Sequence, residues 1–265
     1  MAKTKKVFIG LFVLVIASLL LNASVQTKKE VKNNSEDTQV LGVENKLLIS
    51  ELTRDGITYI SYLYPVENPN SLVLISNLDE QVTLRNFVES SNCEFVINGG
   101  FYSTTFSPIG YLLIDGIEEN PYKGNVLFNG VLSINGIDTP RITRSVPVDP
   151  LRLAIQTGPI LYENGKSLEV VIENDKPARR SFALITGSNN LYLGIILDTD
   201  SSFSGPLLAK LPALLNIIAS EHQIEIADAI NLDGGTASGL FYTSEDKGEL
   251  VTELSTIGTF ICVEK

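Results

Sequence analysis

The sequence predicts an α+β fold: a single domain on a mixed or antiparallel β-sheet, with few helices and one long buried helix near residues 206–221. Three observations carry this. Short apolar runs rich in β-branched residues recur along the chain, separated by Gly, Asn and Pro turn signals. Only residues 206–220 show a sustained apolar run of helical length. Several strand-like runs end in a polar residue followed by glycine, which favours strands delivering side chains to a common edge.

Composition narrows the classes. The chain has 265 residues, 44% hydrophobic and 19% charged, a globular make-up large enough for a sizeable core. Its net charge is −11, so a phosphate backbone is repelled on average and nucleic acid is not expected as a partner. A small anion remains accessible wherever a local basic group overrides that mean field. The single histidine, His222, excludes a metal site built on several imidazoles, and two cysteines cannot form a Cys-rich zinc site. No cofactor is expected.

Residues 1–24 open with Lys3, Lys5 and Lys6, continue as an apolar run over 7–21 broken only by Ser18, and end in Asn22-Ala23-Ser24. This is the order of a secretory signal. The run is shorter than the ~20 residues that comfortably span a bilayer, and Leu21 is bulky for a cleavage site after Ala23, so an uncleaved anchor attached through 7–21 is the alternative. Residues 25–45 are polar, lysine-rich and aperiodic, which suits a linker. The folded domain is expected over 46–265, secreted or held on the outer face of the cytoplasmic membrane. Export would permit a Cys93–Cys262 disulfide, although the apolar setting of both reads first as two buried free thiols.

In chain order, residues 56–64 alternate and carry aromatic and β-branched side chains, a strand. Residues 71–76 form a second. Residues 83–90 have helical spacing, with Thr83 placed to cap. Phe95-Val96-Ile97 is a buried-type strand ending in Asn98-Gly99-Gly100, followed by Phe101-Tyr102. Residues 111–114 are a strand, and 126–142 a strand pair turning at Asn135-Gly136. Residues 151–157 form an apolar strand ending in Gln156-Thr157 and then Gly158-Pro159; Ile160-Leu161-Tyr162 continues and Asn164-Gly165 turns it back. Arg179-Arg180 precede a strand over 182–186, where such a pair reads as a solvated sheet edge, or as a phosphate reader because the guanidinium fork matches two oxygens. Residues 191–197 are a buried strand ending at Asp198-Thr199-Asp200. The helix should be regular from about Leu211, because Pro212 is tolerated only near a start. Being apolar almost all round, it should lie buried across the sheet. Strands over 250–254 and 257–263 close the chain.

The stretch Ala227-Asp-Ala-Ile-Asn-Leu-Asp-Gly-Gly-Thr-Ala-Ser-Gly-Leu240 stands apart. Asn231 and Asp233, two apart, share a face of a strand. Gly234-Gly235 then permits a tight turn with free N–H groups. A carboxylate beside such a turn suits a hydroxyl-rich or anionic ligand; a plain Asp-capped turn is the simpler account.

Taken together and in order, Phe95-Val-Ile-Asn-Gly-Gly-Phe-Tyr102 with Pro108-Ile-Gly110, Gln156-Thr-Gly-Pro159 with Asn164-Gly165, Arg180-Ser181, and Asn231-Leu-Asp-Gly-Gly235 with Ser238 resemble the phosphodiester glycosidase family, over about residues 90–263. The resemblance implies an exported hydrolase that splits a sugar 1-phosphodiester into a sugar and a phosphomonoester, in a cell-surface or extracellular polysaccharide. The chain departs from the family pattern in having Asp198-Thr199-Asp200 where Asp-Gly-Arg is common, Thr236 at the third glycine of the Asp-Gly-Gly-Gly run, and no acidic residue early in the helix. On this resemblance Asp233 is the catalytic base or nucleophile and Arg180 grips the phosphate. Asn98, Gln156 and Asn231 orient oxygens, Phe101 (or Tyr102) faces the sugar ring, and Gly99, Gly100, Thr157, Gly158, Gly234, Gly235 and Ser238 complete the substrate site. Other readings are a non-catalytic glycan-binding or exopolysaccharide assembly protein on the same fold, and a hydrolase with Ca²⁺ or Mg²⁺ on Asp198, Asp200 and Asp233.

Overall fold

The computed structural model describes residues 46–244 and 248–265. The signal or anchor over 1–24 and the linker over 25–45 lie outside the described residues.

Strands dominate, and every pairing described is antiparallel. The first sheet has the order β1-β2-β13-β12-β14-β10-β11. It comprises β1 (Leu48–Arg54), β2 (Ile57–Val66), β10 (Ile160–Glu163), β11 (Lys166–Ser167), β12 (Arg180–Thr186), β13 (Leu191–Asp198) and β14 (Ile226–Asn231). The second runs β16-β15-β4-β17-β3, from β3 (Leu72–Ser76), β4 (Cys93–Asn98), β15 (Leu240–Thr243), β16 (Gly248–Val251) and β17 (Thr259–Glu264). The third runs β6-β5-β9-β7-β8, from β5 (Leu112–Ile114), β6 (Ile117–Asn120), β7 (Gly130–Asn135), β8 (Pro140–Thr143) and β9 (Leu151–Thr157).

One core joins the three sheets. Leu193 and Ile230 of the first, Phe95 and Ile261 of the second, and Leu132 and Ile155 of the third all belong to it. Burying both faces of the long strands explains why β4, β9 and β12 read as nearly continuous apolar runs rather than as alternation. The outer face of the first sheet is covered by α2 (Leu211–Glu221), through Leu211, Leu214, Leu215 and Ile218. The outer face of the second is covered by α1 (Leu84–Ser90), with Leu84 against Val96 and Phe260. Thr83 caps α1 as expected, its hydroxyl accepting from Asn86 N at 3.2 Å.

Three expectations are corrected here. The long helix over 206–221 is an 11-residue helix beginning at Leu211, where Pro212 fits the first turn; residues 206–207 are not helical and Leu208–Lys210 is a 3-10 turn. Nor is it buried all round, since Ala213, Asn216 and Ile217 face solvent. The turn at Asn135-Gly136 is wider than a two-residue hairpin. Ile134 pairs with Pro140, and Asn135 Oδ1 holds the loop by accepting from Ile137 N and Thr139 N. Residues 126–129 precede the strand. By contrast Asn164 and Gly165 both adopt positive φ (52° and 76°), the two-residue turn their sequence calls for.

Cys93 and Cys262 form a disulfide, so the reading as two free thiols does not hold. β4 and β17 are direct neighbours, which sequence separation could not reveal. Among the described residues no helix is long and apolar enough to cross a membrane.

Candidate active site

Strand ends from all three sheets converge on one pocket of about 370 Å³, lined among others by Phe101, Gly158, Asp175, Lys176, Arg180, Asn231, Asp233, Gly234 and Gly235. Antiparallel pairing explains the convergence. β12 and β14 are neighbours with Phe182 opposite Asn231, so the start of one and the end of the other lie together. Leu232 N donates to Ser181 O at 2.8 Å and extends that pairing towards Asp233. β9 of the third sheet passes straight into β10 of the first through Gly158 and the cis peptide to Pro159. Gly158 tolerates no side chain, because a Cβ there would overlap Leu127 O.

Asp233 sits on the pocket wall. Its Oδ1 accepts from Gly234 N at 2.8 Å, and its main chain is pinned by Asp233 N donating to Gly99 O at 2.8 Å. Burial raises its carboxyl to about 7, only partly opposed by the Gly234 hydrogen bond. The carboxyl is thus poised to exchange a proton near neutrality.

Arg180 reaches the same pocket. Its Nε donates to Pro206 O at 3.0 Å. Its Nη2 donates to Asp175 Oδ1 at 3.2 Å and Lys176 O at 2.7 Å. Nη1 makes none of the hydrogen bonds described for Arg180 among the described residues and lies 3.7 Å from the point where a Cβ on Gly234 would stand. One edge of the guanidinium is thus locked. Asp175, the second acidic residue of the lining, is already committed: besides Arg180 it accepts from Leu208 N at 3.1 Å and Ala209 N at 2.9 Å. Asp233 is the lining carboxylate left for proton chemistry.

Of the other expected residues, Phe101, Gly158, Asn231, Gly234 and Gly235 line the pocket. The Phe101 ring packs against Phe128 at 4.5 Å between centroids. Asn231 Nδ2 donates to Gly158 O at 2.9 Å and Leu232 O at 2.5 Å, leaving Oδ1 without a protein partner.

The rest are not among the residues lining this pocket. Asn98 is 1% exposed; its Nδ2 donates to Asp233 O, and its Oδ1 accepts from Ser181 Oγ at 2.6 Å and Gly239 N at 3.2 Å. Gln156 is equally saturated. It accepts from Tyr111 N and Lys123 N and donates to Lys123 O and Phe128 O, so it shapes the 121–129 loop. Thr157 is fully buried and donates to Asn231 O at 2.8 Å. Gly99 and Gly100 serve close packing, because a Cβ on either would meet Ile155 at 2.9 Å. Ser238 is buried. Tyr102 donates to Thr256 O and stacks on Phe106.

Neither arginine is a solvated edge. Arg179 is 3% exposed. It donates to Ser202 O, Ser238 O and Thr252 O, and its carbonyl accepts from Gly235 N at 2.9 Å, so it ties three loops behind the glycine turn. Asp198 and Asp200 lie in their own turn, Asp200 N donating to Asp198 Oδ1. Among the described residues no group of three or more His, Cys, Asp or Glu could hold a metal. Sequence reasoning missed Asp175, Lys176, Leu127 and Ile172. The charge run Asp175-Lys176 was visible, but nothing local distinguished it from a solvated loop.

Converging strand ends thus place a carboxyl that titrates near neutrality and a half-locked guanidinium in the lining of one pocket. The chain belongs to the phosphodiester glycosidase family, whose model matches residues 91–263. Among solved structures it is similar to the catalytic domain of zebrafish N-acetylglucosamine-1-phosphodiester α-N-acetylglucosaminidase, auto-inhibited by its pro-peptide, at TM-score 0.63 and 18% identity over 83% of this chain and 82% of that one. It is also similar to a hypothetical protein from Synechocystis (TM-score 0.57, 12% identity, 82% of this chain and 61% of that one). A third likeness is to a protein from Burkholderia pseudomallei described as exported (TM-score 0.52, 10% identity, 79% and 75%). At these identities the likeness is one of fold. No curated protein sequence matches the chain.

Proposed function

We propose that this chain is an exported hydrolase that cleaves a sugar 1-phosphodiester of a cell-surface or extracellular glycan, with an N-acetylglucosamine 1-phosphodiester as the first candidate. The observation that carries this is one pocket lined by both Asp233, whose Oδ1 accepts from Gly234 N, and Arg180, whose Nη1 lies 3.7 Å from where a Cβ on Gly234 would stand.

The bond broken is that between the anomeric carbon and the bridging oxygen, which leaves with the phosphate. A phosphodiester leaves readily, so strong acid assistance is less needed than for an ordinary glycoside. Two tasks remain. Arg180, with Lys176 at the pocket edge, holds the phosphate and stabilises the charge it gains on departure. Asp233, as carboxylate, attacks the anomeric carbon or takes a proton from the water that does. Phe101 offers an apolar face to the sugar and the Gly234-Gly235 backbone a close approach, while Asn231 holds Gly158 O and Leu232 O at the pocket wall.

Export is supported by the basic-apolar-small order of residues 1–24 and by the Cys93–Cys262 disulfide, which suits an oxidising compartment. On this reading 1–24 is a signal or anchor, 25–45 a linker and 46–265 the catalytic domain, secreted or tethered by 7–21 to the outer face of the cytoplasmic membrane. The test is release of free sugar from a panel of sugar 1-phosphodiesters, with Asp233→Asn and Arg180→Ala alongside. Loss of turnover in both variants supports the assignment; binding without turnover by the wild type would favour glycan recognition instead.

A further inference from the structure

A second cavity, of about 630 Å³, adjoins the candidate active site and shares Leu127 and Ile172 with it. That volume falls within the ~300–1,000 Å³ of small-molecule sites. One wall is the strap over residues 168–173, which continues into 174–178 around the catalytic pocket. The other is the loop carrying Val126 and Leu127.

The lining is aliphatic. Val126, Leu127, Ile160, Leu168, Val170 and Ile172 contribute to it, and it has no aromatic ring. Val126 and Val171 are 93% and 84% exposed, a cost in water that a ligand would relieve. Two of the polar members are engaged within the protein. Asn129 Oδ1 accepts from Ile160 N at 2.8 Å. Arg144 is neutralised by a two-point pair with Glu163 at 2.7 and 2.9 Å. Glu169 and Glu173 sit exposed at the rim and would repel a further phosphate. A glycan is commonly held by ring faces stacked on aromatic side chains, and the residues lining this groove include none.

We infer that this groove is the subsite for the group beyond the phosphate, and that the group is an aliphatic alcohol chain, so the substrate is a lipid-linked sugar phosphate rather than two sugars joined through phosphate. The inference rests on the proposed phosphodiester cleavage, which places the phosphate at Arg180 and Lys176. From there the only exit sharing lining with the phosphate pocket, among the described cavities of this size, is past Leu127 and Ile172. The reaction is unchanged by it: water adds to the anomeric carbon, the carbon–oxygen bond breaks, and an alkyl phosphate leaves.

The test measures turnover of N-acetylglucosamine 1-phosphodiesters of methanol, butanol, octanol and glucose by the full chain. In parallel, calorimetry compares methyl phosphate with octyl phosphate, which needs no turnover. The expected result is a KM falling roughly threefold per buried methylene, about 100-fold from methyl to octyl if about four of the seven added methylenes are buried, with the glucose conjugate no better than methyl. In Val126→Glu and Val171→Glu, surface substitutions compatible with folding, the octyl-to-methyl advantage should collapse towards one. Equal KM and equal phosphate affinities for methyl and octyl, or a preference for the glucose conjugate, would overturn the subsite while leaving phosphodiester cleavage standing. Octyl phosphate binding about 100-fold tighter than methyl phosphate, lost in the variants, with no donor turned over, would support the groove and defeat the catalytic reading.

Discussion

The side chain of Asn98 donates to the main-chain carbonyl of Asp233 at 2.6 Å, while Asp233 N donates to Gly99 O at 2.8 Å. β4 and the turn after β14 therefore hold each other at both strand ends. The Asn98 carboxamide also receives Ser181 Oγ and Gly239 N, so one buried residue fixes the backbone beside the Asp233 carboxyl. Replacing it by Ala leaves buried polar groups unpaired, at ~1–3 kcal/mol each. Asn98→Ala is expected to lower unfolding free energy by about 3 kcal/mol in urea titration. Asn98→Asp sets a buried carboxylate oxygen against the Asp233 carbonyl, so it should cost at least as much stability as Asn98→Ala at neutral pH and recover at low pH, where a protonated carboxyl can donate.

Asp233 determines the pH behaviour. Its carboxyl is raised to about 7, so the carboxylate that the proposed mechanism uses forms only as pH rises through that value. The kcat/KM profile is expected to climb from pH 5 to 8 with a midpoint near 7. Asp233→Asn should lose at least ~1,000-fold of kcat. The stability effect has the opposite sense. Folding holds the proton more tightly than the unfolded chain does, so the group's contribution is fully present below the unfolded value of about 4. It is lost as pH rises through about 7. Asp233→Asn, which never ionises, should melt higher than wild type at pH 8 and converge with it near pH 4.

Arg180 spends Nε and Nη2 on Pro206 O, Lys176 O and Asp175. A lysine cannot hold that edge and present a donor at the same time. Arg180→Lys is expected to reduce kcat/KM by about 100-fold or more. Asp175→Asn should reduce it less, by loosening the arginine and the Leu208 and Ala209 amides together.

The Cys93–Cys262 disulfide joins neighbouring strands in the second sheet across a sequence separation of 169. Cys93→Ala/Cys262→Ala is expected to cost about 2–5 kcal/mol, read as a lower denaturation midpoint. Both sulfurs belong to buried residues, so reductant should act only once the protein opens.

Gly158 is predicted to accept no side chain. A Cβ would overlap Leu127 O and crowd Asn129, forcing apart the loop that carries Leu127 and the β9–β10 turn. Gly158→Ala should raise KM and broaden the thermal transition, whereas Gly187→Ala, where a Cβ meets open space, should do neither.

Much of the strand content was legible because local rules and tertiary context agree. Residues 151–157 form β9 as read, Thr83 caps its helix, and Asn164-Gly165 makes its turn. The helix was over-read because apolar content around 206–210 reflects burial of Gly205, Pro206 and Leu208 rather than helical winding. At the site, Asp233-Gly234-Gly235 and Arg180 were visible as types of residue in a telling pattern. Asn98 and Gln156 gave the same signal, yet hold backbone rather than line the pocket.

The sequence by itself determined the β-rich class, the acidic exterior, the turn chemistry and the family. These follow from local conformational preference and the order of motifs, which need no knowledge of distance. Tertiary structure alone decided which polar residues meet. Arg179 and Arg180 are adjacent and chemically identical, but β12 turns one into the interior behind the glycine turn and the other to the pocket. Likewise the strap at 168–178 is unremarkable as sequence; its packing beside the 126–128 loop makes a groove, because cavities are set by contacts between segments far apart in the chain.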